Sequence, residues 1–200
     1  LEVIGCDVTS NSLASAVAQG EGSRLILRDC TLHNGADAGA FAFDGGALVM
    51  TGCDVAHNRL SGVAVAQGGE AELRKCRLHH GRASGLYVYK GNNRLRMEDC
   101  DVFYNENSGI EVRDETSPVI RNCRFYDGKG IGLFFSSKAG GLVEACRIWG
   151  NGGDGVNIDQ EAHPVVKKCE INNNKSAGVR IEDNGKGVVE ECDIHGNDNA

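Results

Sequence analysis

Apolar positions recur along this chain with a long fixed period and, within each period, with short alternation. Two residues after each cysteine stands an apolar side chain, as in Leu32, Val55, Leu78, Val102, Phe125, Ile148 and Ile171. A glycine nine after the cysteine opens an alternating apolar pair, Val63/Val65, Leu86/Val88, Ile110/Val112, Leu133/Phe135 or Val156/Ile158. A second alternating run leads into the next cysteine. Period-two alternation over three to five residues predicts short strands with one buried face. No stretch sustains the i, i+3, i+4 spacing of an amphipathic helix.

The cysteines at 6, 30, 53, 76, 100, 123, 146, 169 and 192 space the pattern at 23 or 24 residues. A period of this size marks a solenoid, in which each unit buries its apolar face against its neighbours. Three strands and three corners per period predict an all-β, single-stranded right-handed parallel β-helix of about eight coils of 23 residues. Leucine-rich repeats share the period but would need leucine at several fixed places and a helical segment. Stacked at roughly 4.8 Å, the coils would make a rod about 40 Å long. Asn11, Asn58, Asn105, Asn151, Asn174 and Asn197, five after the cysteine, are expected to form an interior ladder that hydrogen-bonds the bend. Gly and Asn are expected to supply positive φ at the corners.

The same alignment puts the cysteines in one inward column, where a free thiol acts as a small hydrophobe. Nine is an odd number, and no C-x-x-C pair suggests zinc. Reduced thiols in this number lead to the expectation of a cytoplasmic or nuclear protein. A net charge of −7 argues against nucleic-acid and anionic-membrane partners, and no apolar run has membrane-spanning length. The whole of 1–200 reads as a single β-helix domain and as a piece of a longer chain, whose flanking segments would cover its ends. The first two coils carry alanines (Ala16, Ala18, Ala40, Ala42) where later coils carry larger residues, so the later coils are expected to pack best. The six histidines show no metal-ligand spacing, and no metal or cofactor is assigned.

Stacking turns each outward position into a column. Three residues after the cysteine, Phe103, Tyr126 and Trp149 fall on consecutive coils beside Arg124 and Arg147, and an exposed aromatic row with arginines suits a peptide or a sugar. The same row also reads as a ladder that stacks on itself. On the strand after glycine the early coils carry Phe41/Phe43 and Tyr87/Tyr89 around an alanine floor at Ala64/Ala66. The later coils there carry Glu111, Arg113, Asn157, Asp159, Arg180 and Glu182. Carboxylates beside arginines could serve acid–base work on a polysaccharide; the competing reading is a set of solvated ion pairs between coils.

The pattern C-x-[apolar]-x-x-N-x-x-x-G-[apolar]-x-[apolar] resembles the right-handed parallel β-helix repeat family of carbohydrate-binding proteins and sugar hydrolases. Segments such as Pro118–Gly128 and Gly141–Cys146 look most like the repeats of β-helical F-box and Shc-binding proteins, although no F-box is present. The G-H-G and R-I-K motifs of polygalacturonases, the D-P-H-D motif of alginate epimerases and the acid cluster of pectate lyases are missing. The resemblance therefore implies a fold more than an activity. The expected function is a non-catalytic scaffold or recognition module for a protein or peptide. The alternative is a carbohydrate-binding or polysaccharide-modifying (lyase, hydrolase or epimerase) β-helix, and a third reading is an architectural part of a larger assembly.

Overall fold

The computed structural model describes residues 1–199, and Ala200 lies outside them. Three parallel sheets run the length of a right-handed β-helix. Sheet A has nine strands, from Glu2–Ile4 to Val188–Glu190, and holds the segment before each cysteine. Sheet B has nine, from Asp7–Thr9 to Asp193–His195, directly after each cysteine. Sheet C has eight, from Ala16–Gln19 to Val179–Ile181, after each glycine. Each strand pairs with its equivalent one coil away in strict register, as Val102 with Phe125 and Phe125 with Ile148. Right-handed winding follows from the twist of strands joined by parallel crossovers.

The interior is a set of columns. Leu32, Val55, Leu78, Phe125 and Ile148 are fully buried. Cys30 to Cys169 are all buried, while Cys6 is exposed and Cys192 partly so, and all nine are unbridged. The thiols do more than fill space. Cys76 and Cys100 donate their N–H groups to the sulfurs of Cys100 and Cys123 one coil on, and the Cys100 thiol donates to the Glu98 carbonyl. At the next corner, Asn105 and Asn151 donate Nδ2–H to the carbonyls of Leu78 and Phe125 at 3.0 and 3.2 Å. Their Oδ1 atoms accept the N–H of Gly81 and Gly128. Each asparagine thus satisfies two backbone groups of the preceding coil, which a buried bend would otherwise leave without partners.

Two expectations need correction. The recurrent glycine nine after the cysteine has no positive φ; a Cβ on Gly39 would come within 2.4 Å of Val55 and 2.7 Å of the Gly62 carbonyl. Close approach is what selects glycine there. Positive φ falls mainly on other residues, at all three corners: Lys75, Asp99 and Ala145 before the cysteine, His57, His80 and Tyr104 four after it, and Gln67, Lys90 and Asp114 after the sheet C strand. The best packing also lies in the middle of the rod rather than in the later coils. Val17 is exposed at one end, and Ile181, Val188 and Ile194 at the other, because end coils lack a neighbour.

Candidate functional site

The aromatic column of sheet B forms and is longer than Phe103, Tyr126 and Trp149. His79 stacks on Phe103 at 4.6 Å between centroids, Phe103 on Tyr126 at 5.0 Å, and Tyr126 on Trp149 at 4.5 Å, the last two pairs within 7° of parallel. Coil spacing close to ring thickness makes this continuous stack possible. The same spacing hides the faces: Phe103 is buried and Tyr126 and Trp149 half-buried, against the expectation of exposed rings. Arg77 lies over Phe103 and Arg147 over Trp149. Arg124 is held by both carboxylate oxygens of Asp101, and Arg147 donates to Glu170 at 2.8 Å, so neither cation is free. The Arg147 guanidinium holds Glu170 below the usual carboxylate range.

Beside this column runs a second, His57, His80 and Tyr104, with centroids 4.9 and 5.1 Å apart. Three histidines, His57, His79 and His80, therefore meet at one corner. His79 Nε2 lies 2.7 Å from Asp54 Oδ1, and His79 Nδ1 lies 2.7 Å from His80 Nδ1. With Asp54 taking the Nε2 proton, His79 Nδ1 must accept from His80. Burial lowers the pKa of His79 and of His80. Among the described residues no group of three or more His, Cys, Asp or Glu is placed to hold a metal ion.

On sheet C the interrupted aromatic row makes a concavity. Ala64 stands between Phe41 and Tyr87 on consecutive coils. Together with Leu60, Tyr89 and the carboxylates Asp37 and Glu111 they line a groove of about 320 Å³. Tyr87 and Tyr89 stack on each other along their own strand, centroids 4.4 Å apart. Glu111 is fixed by Arg113 Nε at 2.6 Å and by the Ser84 hydroxyl at 3.0 Å.

The remaining charged residues of that face do not join Glu111 in one site. Coil six, with Phe134 and Ser136, separates Glu111 and Arg113 from Asn157, Asp159, Arg180 and Glu182. Asn157 is buried rather than outward and free; its amide donates to Asp154 and Glu182, both at 3.1 Å. Arg180 pairs with Asp154 at 2.8 Å, a buried carboxylate the sequence reading missed. Burial works to raise Asp154, but hydrogen bonds from Arg180, Ser176, Asn157 and the Ala177 N–H outweigh it and leave the carboxyl below its ordinary range. The outer face of sheet A was missed as well: Glu72, Arg74, Arg96, Glu98 and Arg121 line a shallow cleft there. Their signal was the alternation before each cysteine, whose outward members are charged.

The family model described as the right-handed beta helix region matches residues 1–117 and again 61–200. The chain belongs to the right-handed β-helix family. No curated protein matches it. Among solved structures, this right-handed β-helix protein is similar to the periplasmic alginate epimerase AlgG, with a TM-score of 0.84 at 12% identity over 97% of this chain and 50% of that one. It is similar to the A-module of the Azotobacter vinelandii mannuronan C-5 epimerase AlgE6, with a TM-score of 0.72 at 13% identity over 96% and 59% of the two chains. It is also similar to the pectate lyase Pel9A, with a TM-score of 0.50 at 13% identity over 96% and 68%. The chain spans about half the length of the alginate epimerase it matches.

These likenesses overturn the expectation of a cytoplasmic or nuclear protein, since one of the structures is of a periplasmic protein. The error lay in reading compartment from free thiols. Thiols as buried as Cys53 to Cys169 are shielded from oxidants, so their reduced state carries no information about redox surroundings. Among the described residues no helix is long and apolar enough to cross a membrane.

Proposed function

We propose that this right-handed β-helix protein binds a polysaccharide, with sugar units seated in the sheet C groove over Ala64. The observation that carries the proposal is the groove itself: apolar and aromatic walls from Phe41, Leu60 and Tyr87 with hydroxyl and carboxylate groups of Ser61, Ser84, Asp37 and Glu111 at its margin. A pyranose has that same mixture of apolar C–H faces and hydroxyl edges. The solved structures named above, epimerases and a lyase of polysaccharides, support the reading at the level of fold. The groove takes precedence over the aromatic column of sheet B as the binding surface, because the rings of that column cover one another's faces and its arginines are neutralised.

Binding without hydrolysis fits the groove best. Asp37 and Glu111 belong to coils three apart, about 14 Å at the coil spacing, whereas paired glycosidase carboxylates stand about 5–9.5 Å apart. Titration calorimetry with a panel of neutral and acidic oligosaccharides tests the proposal. Wild type should bind at least one, Tyr87→Ala should weaken it by about 2 kcal/mol, and Ala64→Tyr, which restores the missing ring and fills the groove, should abolish it at a melting temperature no lower than that of wild type. Equal affinity of Ala64→Tyr and wild type for a bound oligosaccharide, or no binding by wild type across the panel, would refute the groove as the site.

A further inference from the structure

Nine of the thirteen arginines are neutralised by a carboxylate, among them Arg28 by Glu2, Arg94 by Glu70, Arg121 by Glu144 and Arg147 by Glu170. Among the described residues four arginines make no ion pair: Arg24, Arg59, Arg82 and Arg96. Only Arg59 and Arg82 occupy one column on adjacent coils. Arg59 donates its N–H to the Gly35 carbonyl, and Arg82 donates its own to the Asn58 carbonyl, the equivalent place one coil on. Their side chains therefore start about 4.8 Å apart, and like charges so placed repel. Glu106, next in the column, is turned away to Lys129 at 3.0 Å.

Both arginines and His57 line one open dish at the corner between sheets B and C, of about 420 Å³. The small residues Ser10, Ser12 and Ala36 of the first two coils also line it. His57 makes no side-chain hydrogen bond among the described residues and is exposed. An acidic protein thus keeps two adjacent uncompensated guanidiniums and an imidazole around one concavity.

We propose that this dish is a binding site for a tetrahedral oxyanion, the phosphate or sulfate group of a ligand. A carboxylate has two oxygens and one charge, which a single guanidinium fork saturates. A tetrahedral group offers three or four oxygens, enough to accept from Arg59, Arg82 and His57 together, and inorganic phosphate or sulfate brings up to two charges to balance the pair. The site is separate from the groove over Ala64 and does not depend on a sugar occupying that groove.

Titration calorimetry of the full chain at low ionic strength tests it, with sodium phosphate, sodium sulfate and sodium acetate as probes. Sulfate and phosphate should bind at one site, and acetate at least tenfold more weakly. Arg59→Gln and Arg82→Gln should each lower the affinity by about tenfold or more, as expected for loss of a charge-assisted contact. Both variants should melt no lower than wild type, since each removes a repulsion. Sulfate binding without phosphate binding would assign a sulfate ester, and the reverse a phosphate ester; either supports the site. Acetate binding as tightly as sulfate, affinity unchanged in both variants, or no binding of either tetrahedral anion would overturn it. Arg124→Gln, a neutralised arginine on another face, is the control and should bind sulfate as wild type does.

Discussion

The aromatic rows of sheets B and C share one coil spacing and have opposite consequences. On sheet B four rings follow one another without a gap, and their faces are spent on each other. On sheet C the row is broken at Ala64, and the missing ring leaves a groove between Phe41 and Tyr87. Coils stacked at strand spacing place side chains at the distance where rings attract. Continuity in a column therefore favours stability, and an interruption favours recognition. In a solenoid the small residue in a large-residue column is the more informative one.

The largest effect that could break this contrast is expected at Phe103. It is buried between His79 and Tyr126, so Phe103→Ala should cost about 3 kcal/mol or more in urea unfolding. A loss below about 1 kcal/mol would mean that the stack contributes little. Trp149 has one face on Tyr126 and Arg147 nearby, and it is half-exposed. Trp149→Ala should cost about 1 kcal/mol and leave oligosaccharide affinity unaltered. If it weakened binding as much as Tyr87→Ala, the site would belong on sheet B.

The smallest effect is a pH dependence that sharpens the same contrast, because the stack ends on a titratable ring. Burial lowers the pKa of His79 from its ordinary 6.5, so the unfolded chain binds more protons than the folded one below neutrality. Its contribution to stability is complete above about pH 6.5 and is lost as pH falls through the depressed folded value. Asp54 partly opposes the shift. Melting temperatures between pH 7.5 and 5 should fall for wild type and fall less for His79→Gln. A steeper fall in the variant would contradict this assignment.

Much of the architecture was legible because the repeat aligns equivalent residues. Period alone placed Cys100 and Asn151 inward and Phe103, Tyr126 and Trp149 in one row. The alanine floor at Ala64 between aromatic residues could also be read directly. What could not be read was lateral: how near one column lies to the next. His57 and His80 sit at corners of positive φ, where strand alternation no longer tells which way a side chain points. Their meeting with His79 was therefore invisible, as was the turn of Arg180 toward Asp154 and away from Glu182. The burial of Phe103 was missed for a related reason. Outward direction was equated with exposure, although neighbours on both sides cover an outward ring. The glycine column was seen but misexplained, since crowding against the next coil rather than φ selects it.

The strict register of the sheets makes a whole turn of chain an interchangeable unit. Residue 77 occupies the same place in its coil as residue 54, so excising residues 54–76 would join Cys53 to Arg77 with each sheet keeping its pairing direction and its phase. The rod would shorten by one rise, and Phe41 would come to lie beside Tyr87 with no alanine between them. A single in-frame deletion could thus erase a groove while preserving the fold, and a duplication of the same segment could widen it. For such a chain, length is inherited in steps of one turn, and binding specificity can change by counting turns as readily as by changing residues.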